Sequence, residues 1–377
     1  MRSQRPSSHI AVVGAGAFGG WSALQLARAG HRVTLVDAWG PGNARSSSGG
    51  ESRVLRRSYG ASELFTRMAA RSLDLWRGFE VERGRRLFHE TGLLWMAGAV
   101  DDRTERDSLA GLRSIGVTPQ VLDAAQVAER YPAISPEGIE WAFVEPGAGS
   151  LLARRSCAEV RDALLEARGS YLTARARLGP RDGGRLRHLE VEGHDRLEAD
   201  AFVLAAGPWL GELVRRAGTH LRVTRQEVFY FGTPPGDEAH RGLPVWSDHA
   251  ERFWYGIPET EARGFKLADD TRGEVCDPST QDRSPSAAGL ERAREHLALR
   301  FPGLRAAPLL EARVCQYTET PDGAFVVDRH PDLDNVWIAG GGSGHGFKHG
   351  PALGEHVAQL VSGAREVEPR FALARFD

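Results

Sequence analysis

The 377-residue chain is nearly devoid of lysine: among its 48 lysine and arginine residues, only Lys266 and Lys348 are lysine. A composition that has turned almost every basic position into arginine raises the question of why these two remain. Cysteine is scarce too. Cys157, Cys276 and Cys315 show no metal-type spacing, which argues against a disulfide framework or a metal site and for a reducing, cytoplasmic setting. A strong charge of one sign is also missing. The formal net charge is −2 with acids and bases interspersed, which argues against a nucleic-acid or anionic-membrane partner. No apolar run approaches the roughly 18 residues that a spanning helix needs, so a soluble protein is expected. The N-terminal MRSQRPSSHIAVVGAGAFGG begins with basic residues, but glycines break its apolar part at once. It reads as a tail and a buried strand, not a leader.

What the chain does have is glycine placed directly behind short apolar runs. HIAVV (9–13) leads into GAGAFGG, then into a helical pattern ending at Gly30, and RVTLVD (32–37) follows as a second buried strand closed by an acid. Strand, glycine turn, helix, strand is the parallel βαβ unit. The plan returns at 198–218, with a tight AAG turn before a helix, and again at 335–363. Helices are expected at 62–84 and 156–169, a strand at 92–100, and short β-like runs between about 220 and 320. This pattern predicts an α/β chain: a Rossmann-type nucleotide-binding domain assembled from residues 1–85, 146–219 and 321–377. A β-rich mixed-sheet domain, 86–145 with 220–320, is inserted between the pieces.

Gly14, Gly16 and Gly19 form GxGxxG between strand and helix, with Ala15 and Phe18 in the turn. The first glycine permits the tight turn, the second lets the backbone approach a pyrophosphate, and the third lets helix and strand pack closely. The helix N-terminus offers free N–H groups to phosphates. Asp37 ends the second strand, where a carboxylate can accept hydrogen bonds from a ribose. An acid there disfavours a 2′-phosphate. FAD and NAD both remain open on these residues.

Three further segments carry a family resemblance. NARSSSGGESRVLRRSYG (43–60), VCQYTET (314–320) and GSGHGFKHG (342–350) resemble the monomeric sarcosine oxidase family and its relatives. Those relatives are N-methyltryptophan oxidase, pipecolate oxidase and the amadoriases, within the D-amino-acid-oxidase superfamily. The resemblance spans essentially the whole chain. It implies FAD, bound covalently through Cys315. Further cofactor contacts are expected at Ser46, Ser52 and Arg53, at Ala206, Gly207 and Trp209, and at Gly344, His345, Gly346 and Lys348.

The resemblance also answers the question of the two lysines. Lys348 and Arg56 match the pair that grips a substrate carboxylate, where a guanidinium pairs bidentately and an ammonium adds a compact point charge. Lys266 matches the lysine at the opposite flavin face, where a fixed ammonium stabilises negative charge developing on dioxygen. Both are places where arginine is a poor substitute. Arg53, Tyr59 and Tyr317 match active-site neighbours. Asp270 stands where sarcosine oxidase has a histidine, and Trp254 and Trp246 add large rings, so a substrate larger than sarcosine is expected. The implied reaction is oxidation of a C–N bond in a secondary or cyclic amino acid to an imine, with O2 reduced to hydrogen peroxide. The expected partners are thus a small amino acid and O2, on a monomer or small homo-oligomer. An imino-acid desaturase or amadoriase-type oxidase of the same fold remains an alternative. So, from other classes, do an NAD-dependent dehydrogenase and a non-catalytic flavin-binding protein.

Overall fold

The computed structural model describes residues 8–99 and 101–377, and the strand–glycine–helix segments meet in one six-stranded sheet. Its order is Val326–His330, Leu333–Gly340, Ala201–Leu204, His9–Val13, Arg32–Asp37 and Ser170–Thr173. All neighbours are parallel except the edge strand Val326–His330. The inner strands are buried almost throughout, which is why they read as continuous apolar runs and not as alternating ones. Three adjacent strands, ending at Val13, Leu204 and Gly340, each open into a glycine-bearing turn. Their carboxyl ends therefore line one crevice, the place where parallel sheets bind ligands.

Helix Gly350–Val361 fixes the last of these turns by packing on helix Ala17–Arg28. The contact is close enough to need glycine. A Cβ on Gly350 would lie 2.6 Å from Trp21 Cδ1, and one on Gly354 would lie 2.7 Å from the Trp21 backbone. The helix Glu63–Arg83 ends as its sequence suggests, at Gly84 with φ of 58°. The segment after Leu204 departs from the single helix expected there. It forms a 3-10 turn and two four-residue helices, Leu210–Leu213 and Arg215–Gly218, broken at extended Val214. The Gly211 and Gly218 backbones meet at this fold-back, too closely for a side chain on either.

A second, eight-stranded sheet holds the other chemistry. Its order is Leu309–Glu319, Arg222–Phe231, Phe265–Asp269, Trp254–Ile257, Val245–His249, Leu93–Ala97, Trp141–Glu145 and Gln120–Asp123. Only the pair Leu93–Ala97 with Val245–His249 is parallel. Cross-strand register sorts the side chains: Trp95 pairs with Ser247, Ser247 with Tyr255, Tyr230 with Lys266, and Thr224 with Tyr317. Those residues, with Cys315, share one face. Met96, Trp246, Trp254, Phe229 and Leu267 share the other, packed into a buried cluster with the helix Ala287–Arg300. A small three-stranded sheet, Ser52–Leu55 with Gly149–Leu152 and Phe88–Glu90, sets the position of Ser52 and Arg53. Among the described residues no helix is long and apolar enough to cross a membrane.

The helix–helix contact at Gly354 gives a stability test. Gly354→Ala should lower unfolding stability by about 1–3 kcal/mol, the usual cost of overpacking, read as a lower urea midpoint with unchanged slope. An unchanged midpoint would show that the two helices are free to separate.

Candidate active site

The crevice is a cavity of about 600 Å³ running from Gly14 and Gly16 past Asp37 to Gly344 and Gly346. Its turn is built as the glycine spacing requires. Gly14 has φ of 103°, and a Cβ there would lie 2.3 Å from Ala205 O; a Cβ on Gly19 would lie 1.9 Å from Gly14 O. The first turn of helix Ala17–Arg28 carries no acid, so its positive end faces the cavity uncompensated. Ser48, which sequence reading passed over, accepts the Ala17 N–H at 2.9 Å. Asp37 lines the cavity while its carboxylate organises the turn. Oδ2 accepts from Ala15 N at 2.8 Å, and Oδ1 accepts from Trp39 N and Gly40 N at 2.9 and 2.8 Å. Phe18, Ser46, Arg53, Ala206, Gly207, Trp209 and Tyr317 also lie on the cavity wall. Trp39, another residue passed over, packs against Trp209 at its edge, the rings tilted by 52° with centroids 4.8 Å apart.

Arg53 crosses from the 46–52 loop toward the second sheet. Its guanidinium donates to the carbonyls of Ser47, Gly49 and Ser52 and reaches Cys315 Sγ at 3.9 Å. Lys266, 2% exposed, donates from Nζ to Ser52 O at 3.0 Å and stands 5.5 Å from the Tyr255 ring centroid. Burial first, and the Arg53 charge second, lower its pKa to about 7. Tyr317 donates to Asp270 Oδ1 at 2.9 Å, and Asp270 in turn pairs with Arg272 at 3.0 Å. Asp270 thus acts here as the fixed acceptor for a tyrosine.

Lys348 sits in a buried polar network centred on Tyr59. Its Nζ donates to Tyr59 Oη at 3.1 Å and to His345 O at 3.0 Å. His345 Nε2 lies 2.9 Å from Gly323 O, a pure acceptor, so Nε2 carries the hydrogen and Nδ1 accepts from Tyr59 Oη at 3.3 Å. The Tyr59 oxygen then accepts from His349 Nε2 at 2.7 Å. Burial, then the neighbouring Arg56 cation, push Lys348 well below the usual lysine range. Burial and Lys348 likewise hold His345 down to about 3. Arg56 lies between two rings, 4.5 Å from the Tyr59 centroid and 5.0 Å from that of Trp95. Among the described residues no carboxylate pairs with it. Glu145, from the adjoining strand, is engaged by Arg57 and Ser58.

Two expectations need correction. Trp254 and Trp246 do not face the site: strand alternation turns both to the helix-covered side, where Trp254 stacks on His296 at 4.6 Å and Trp246 is fully buried. Tyr255, the next residue, holds the site-facing position. The His345 side chain, expected against the cofactor, is directed into the Tyr59 network and stacks on Phe325, while its neighbours Gly344 and Gly346 line the cavity.

A crevice at the carboxyl ends of parallel strands, with a helix N-terminus behind it, is the arrangement that receives a dinucleotide. The chain belongs to the FAD dependent oxidoreductase family, which it matches over residues 9–360. It is 31% identical over 367 residues to a monomeric sarcosine oxidase of Streptomyces avermitilis, covering 94% of each chain. It is also 28% identical to the human peroxisomal sarcosine oxidase, over 100% of this chain and 97% of that one. An N-methyl-L-tryptophan oxidase of Yersinia pestis is 26% identical, covering 97% and 99%. L-proline dehydrogenase from P. horikoshii shares the fold, with a TM-score of 0.87 at 21% identity over 98% of both chains. The amino acid oxidase NikD does too, with a TM-score of 0.81 at 21% identity and 98% coverage of both. The chain is therefore an FAD-dependent oxidoreductase of sarcosine oxidase-like type. Its cavity fits the cofactor: Gly14, Gly16 and the first turn of helix Ala17–Arg28, which carries no acid, border it at one end, with Asp37 beside them.

The Tyr59 hub can be tested without substrate. Tyr59→Phe strips Lys348, His345 and His349 of a buried partner and should cost about 1–3 kcal/mol. Denaturant unfolding of the flavin-loaded protein reads this, and a neutral result would remove the network from the account.

Proposed function

We propose that the chain is an amine oxidase that takes two electrons from the C–N bond of a secondary or cyclic amino acid. The imine is one product, and dioxygen, the acceptor, leaves as hydrogen peroxide. The observation that carries this reading is the Arg56 guanidinium, held between Tyr59 and Trp95 and paired with no carboxylate among the described residues. An unpaired cation in a partly buried site costs free energy until an anion arrives. A substrate carboxylate supplies that anion, bonds bidentately to Arg56, and pairs with the ammonium of the adjacent Lys348.

FAD, when bound, supplies the redox chemistry, accepting a hydride equivalent from the amine and passing two electrons to dioxygen. The chain supplies position and charge. Arg56 and Lys348 anchor the substrate, and Tyr59 and His345 orient Lys348. Arg53 stands 3.9 Å from the sulfur of Cys315, the proposed point of covalent attachment. Lys266 places a positive charge where dioxygen becomes negative. Trp95 and Phe253, with ring centroids 6.3 Å apart, and Tyr255 beside them, replace Trp254 and Trp246 as reasons to expect a substrate larger than sarcosine.

A panel of N-alkyl and cyclic amino acids, scored by anaerobic bleaching and then by peroxide release, tests the substrate class; silence across the panel would overturn it. Arg56→Met should raise KM by roughly 10- to 100-fold, the loss of one charged hydrogen-bonded contact, with a smaller change in kcat. The ammonium of Lys266 is present below its pKa of about 7 and lost above it. Reoxidation should therefore be fast on the acid side and slow as pH rises through that value. Lys266→Met should be slow throughout, and a retained profile in that variant would contradict the role. Acid-precipitated wild type should stay yellow and Cys315→Ser should not.

A further inference from the structure

Arg56 and Arg57 are neighbours in the chain with opposite attachments. Residues 56–62 join the strand Ser52–Leu55 to the helix Glu63–Arg83 and belong to neither helix nor strand. The sheet ladder ends where Leu55 pairs with Gly149, one residue short of the guanidinium that holds the proposed carboxylate. Backbone N–H groups beyond a ladder need other acceptors, and where they are buried those acceptors set the path of the chain. Here the acceptor is Glu145, the last residue of strand Trp141–Glu145 and fully buried.

Glu145 takes four donors from two consecutive residues. Its Oε1 accepts from Arg57 N at 2.7 Å and from Arg57 Nε at 3.2 Å. Its Oε2 accepts from Ser58 N at 3.2 Å and from Ser58 Oγ at 2.6 Å. A carboxylate has about four lone-pair sites, so this one is saturated. Arg57 also donates to Pro146 O, which ties its side chain to the end of the strand. Arg56 and Tyr59 flank the gripped pair; one carries the aromatic contacts and the other is the hub of the Lys348 network. The charge of Glu145 is felt at both Tyr59 and Lys348. A carboxylate so placed, with an oxygen to spare, would compete with a substrate for Arg56. One occupied by four donors does not.

We propose that Glu145 is the positioning residue of the carboxylate anchor. By gripping Arg57 and Ser58 it fixes where Arg56 and Tyr59 stand on either side, and by being saturated it leaves Arg56 to the substrate. Glu145 acts through these neighbours and not by touching the substrate carboxylate. The inference rests on the reading of Arg56 given above.

The test titrates flavin-loaded protein with benzoate and with benzamide, read by perturbation of the flavin absorbance. The two ligands match in shape and differ in charge. Wild type should bind benzoate about tenfold or more tightly than benzamide, and Arg56→Met should abolish that preference. Glu145→Gln leaves one acceptor oxygen and turns an amide NH2 group against the remaining donors, so the preference should fall to about threefold or less. Loss of a negative charge beside these cations would by itself tighten benzoate binding, so a weaker preference reports position and not charge. Ser58→Ala, which frees one site on Oε2, should lower the preference in the same direction. Adding Glu145→Gln to Arg56→Met should change the ratio no further. A wild-type or stronger benzoate preference in both Glu145→Gln and Ser58→Ala would overturn the proposal; if Glu145→Gln does not retain flavin, Ser58→Ala decides alone. Should wild type show no preference that Arg56→Met removes, the carboxylate-anchor reading falls and this inference with it. Should that control hold while both variants bind like wild type, the anchor stands and the role of Glu145 falls.

Discussion

Two buried ammonium groups, each held by one backbone carbonyl, organise this protein. Lys266 donates to Ser52 O and Lys348 to His345 O, both at 3.0 Å. Removing a lysine head from water is costly, and here the cost appears as pKa values pulled below the ordinary range. Arginine could meet neither requirement. Its guanidinium is larger, needs several planar partners, and does not give up its proton. A chain that uses arginine nearly everywhere else keeps lysine at the two buried positions where a compact and titratable cation is needed.

The carbonyls that hold these lysines come from the loops that the glycine motifs shape. Ser52 follows the 46–50 turn that Arg53 ties together, and His345 lies between the two glycines that line the crevice. Cofactor cradle and cationic anchors therefore cannot be repositioned independently. The division of labour among the arginines follows the same economy. Arg53 is held by three backbone carbonyls and reaches the Cys315 sulfur, whereas Arg56 is held by aromatic faces that leave its hydrogen-bond donors available.

The βαβ unit and its glycines were legible in the sequence because their signals are local: a buried strand, a turn that excludes side chains, and an amphipathic helix. Motif residues such as Tyr59, Tyr317 and Lys348 were legible through the resemblance and do converge in space. The failures share a cause. Trp254 and Tyr255 are adjacent and both aromatic, and only the register against Phe265–Asp269 tells which one faces the site. His349 and Ser48 acquire meaning from Tyr59 and Ala17, partners 290 and 31 residues away, and no local pattern points to them. The helix expected after Leu204 broke at Val214 because two glycine backbones pack together there, a tertiary contact that helix periodicity does not register.

The near absence of lysine makes the central claim directly measurable. Protein carrying lysine labelled with ¹³C at the ε carbon should give two side-chain NMR resonances, one from each lysine in the chain. In the flavin-loaded protein both should titrate below the ordinary lysine value of 10.5, with Lys266 near 7. Two resonances that titrate together at the ordinary value would place both ammonium groups in water and contradict the account.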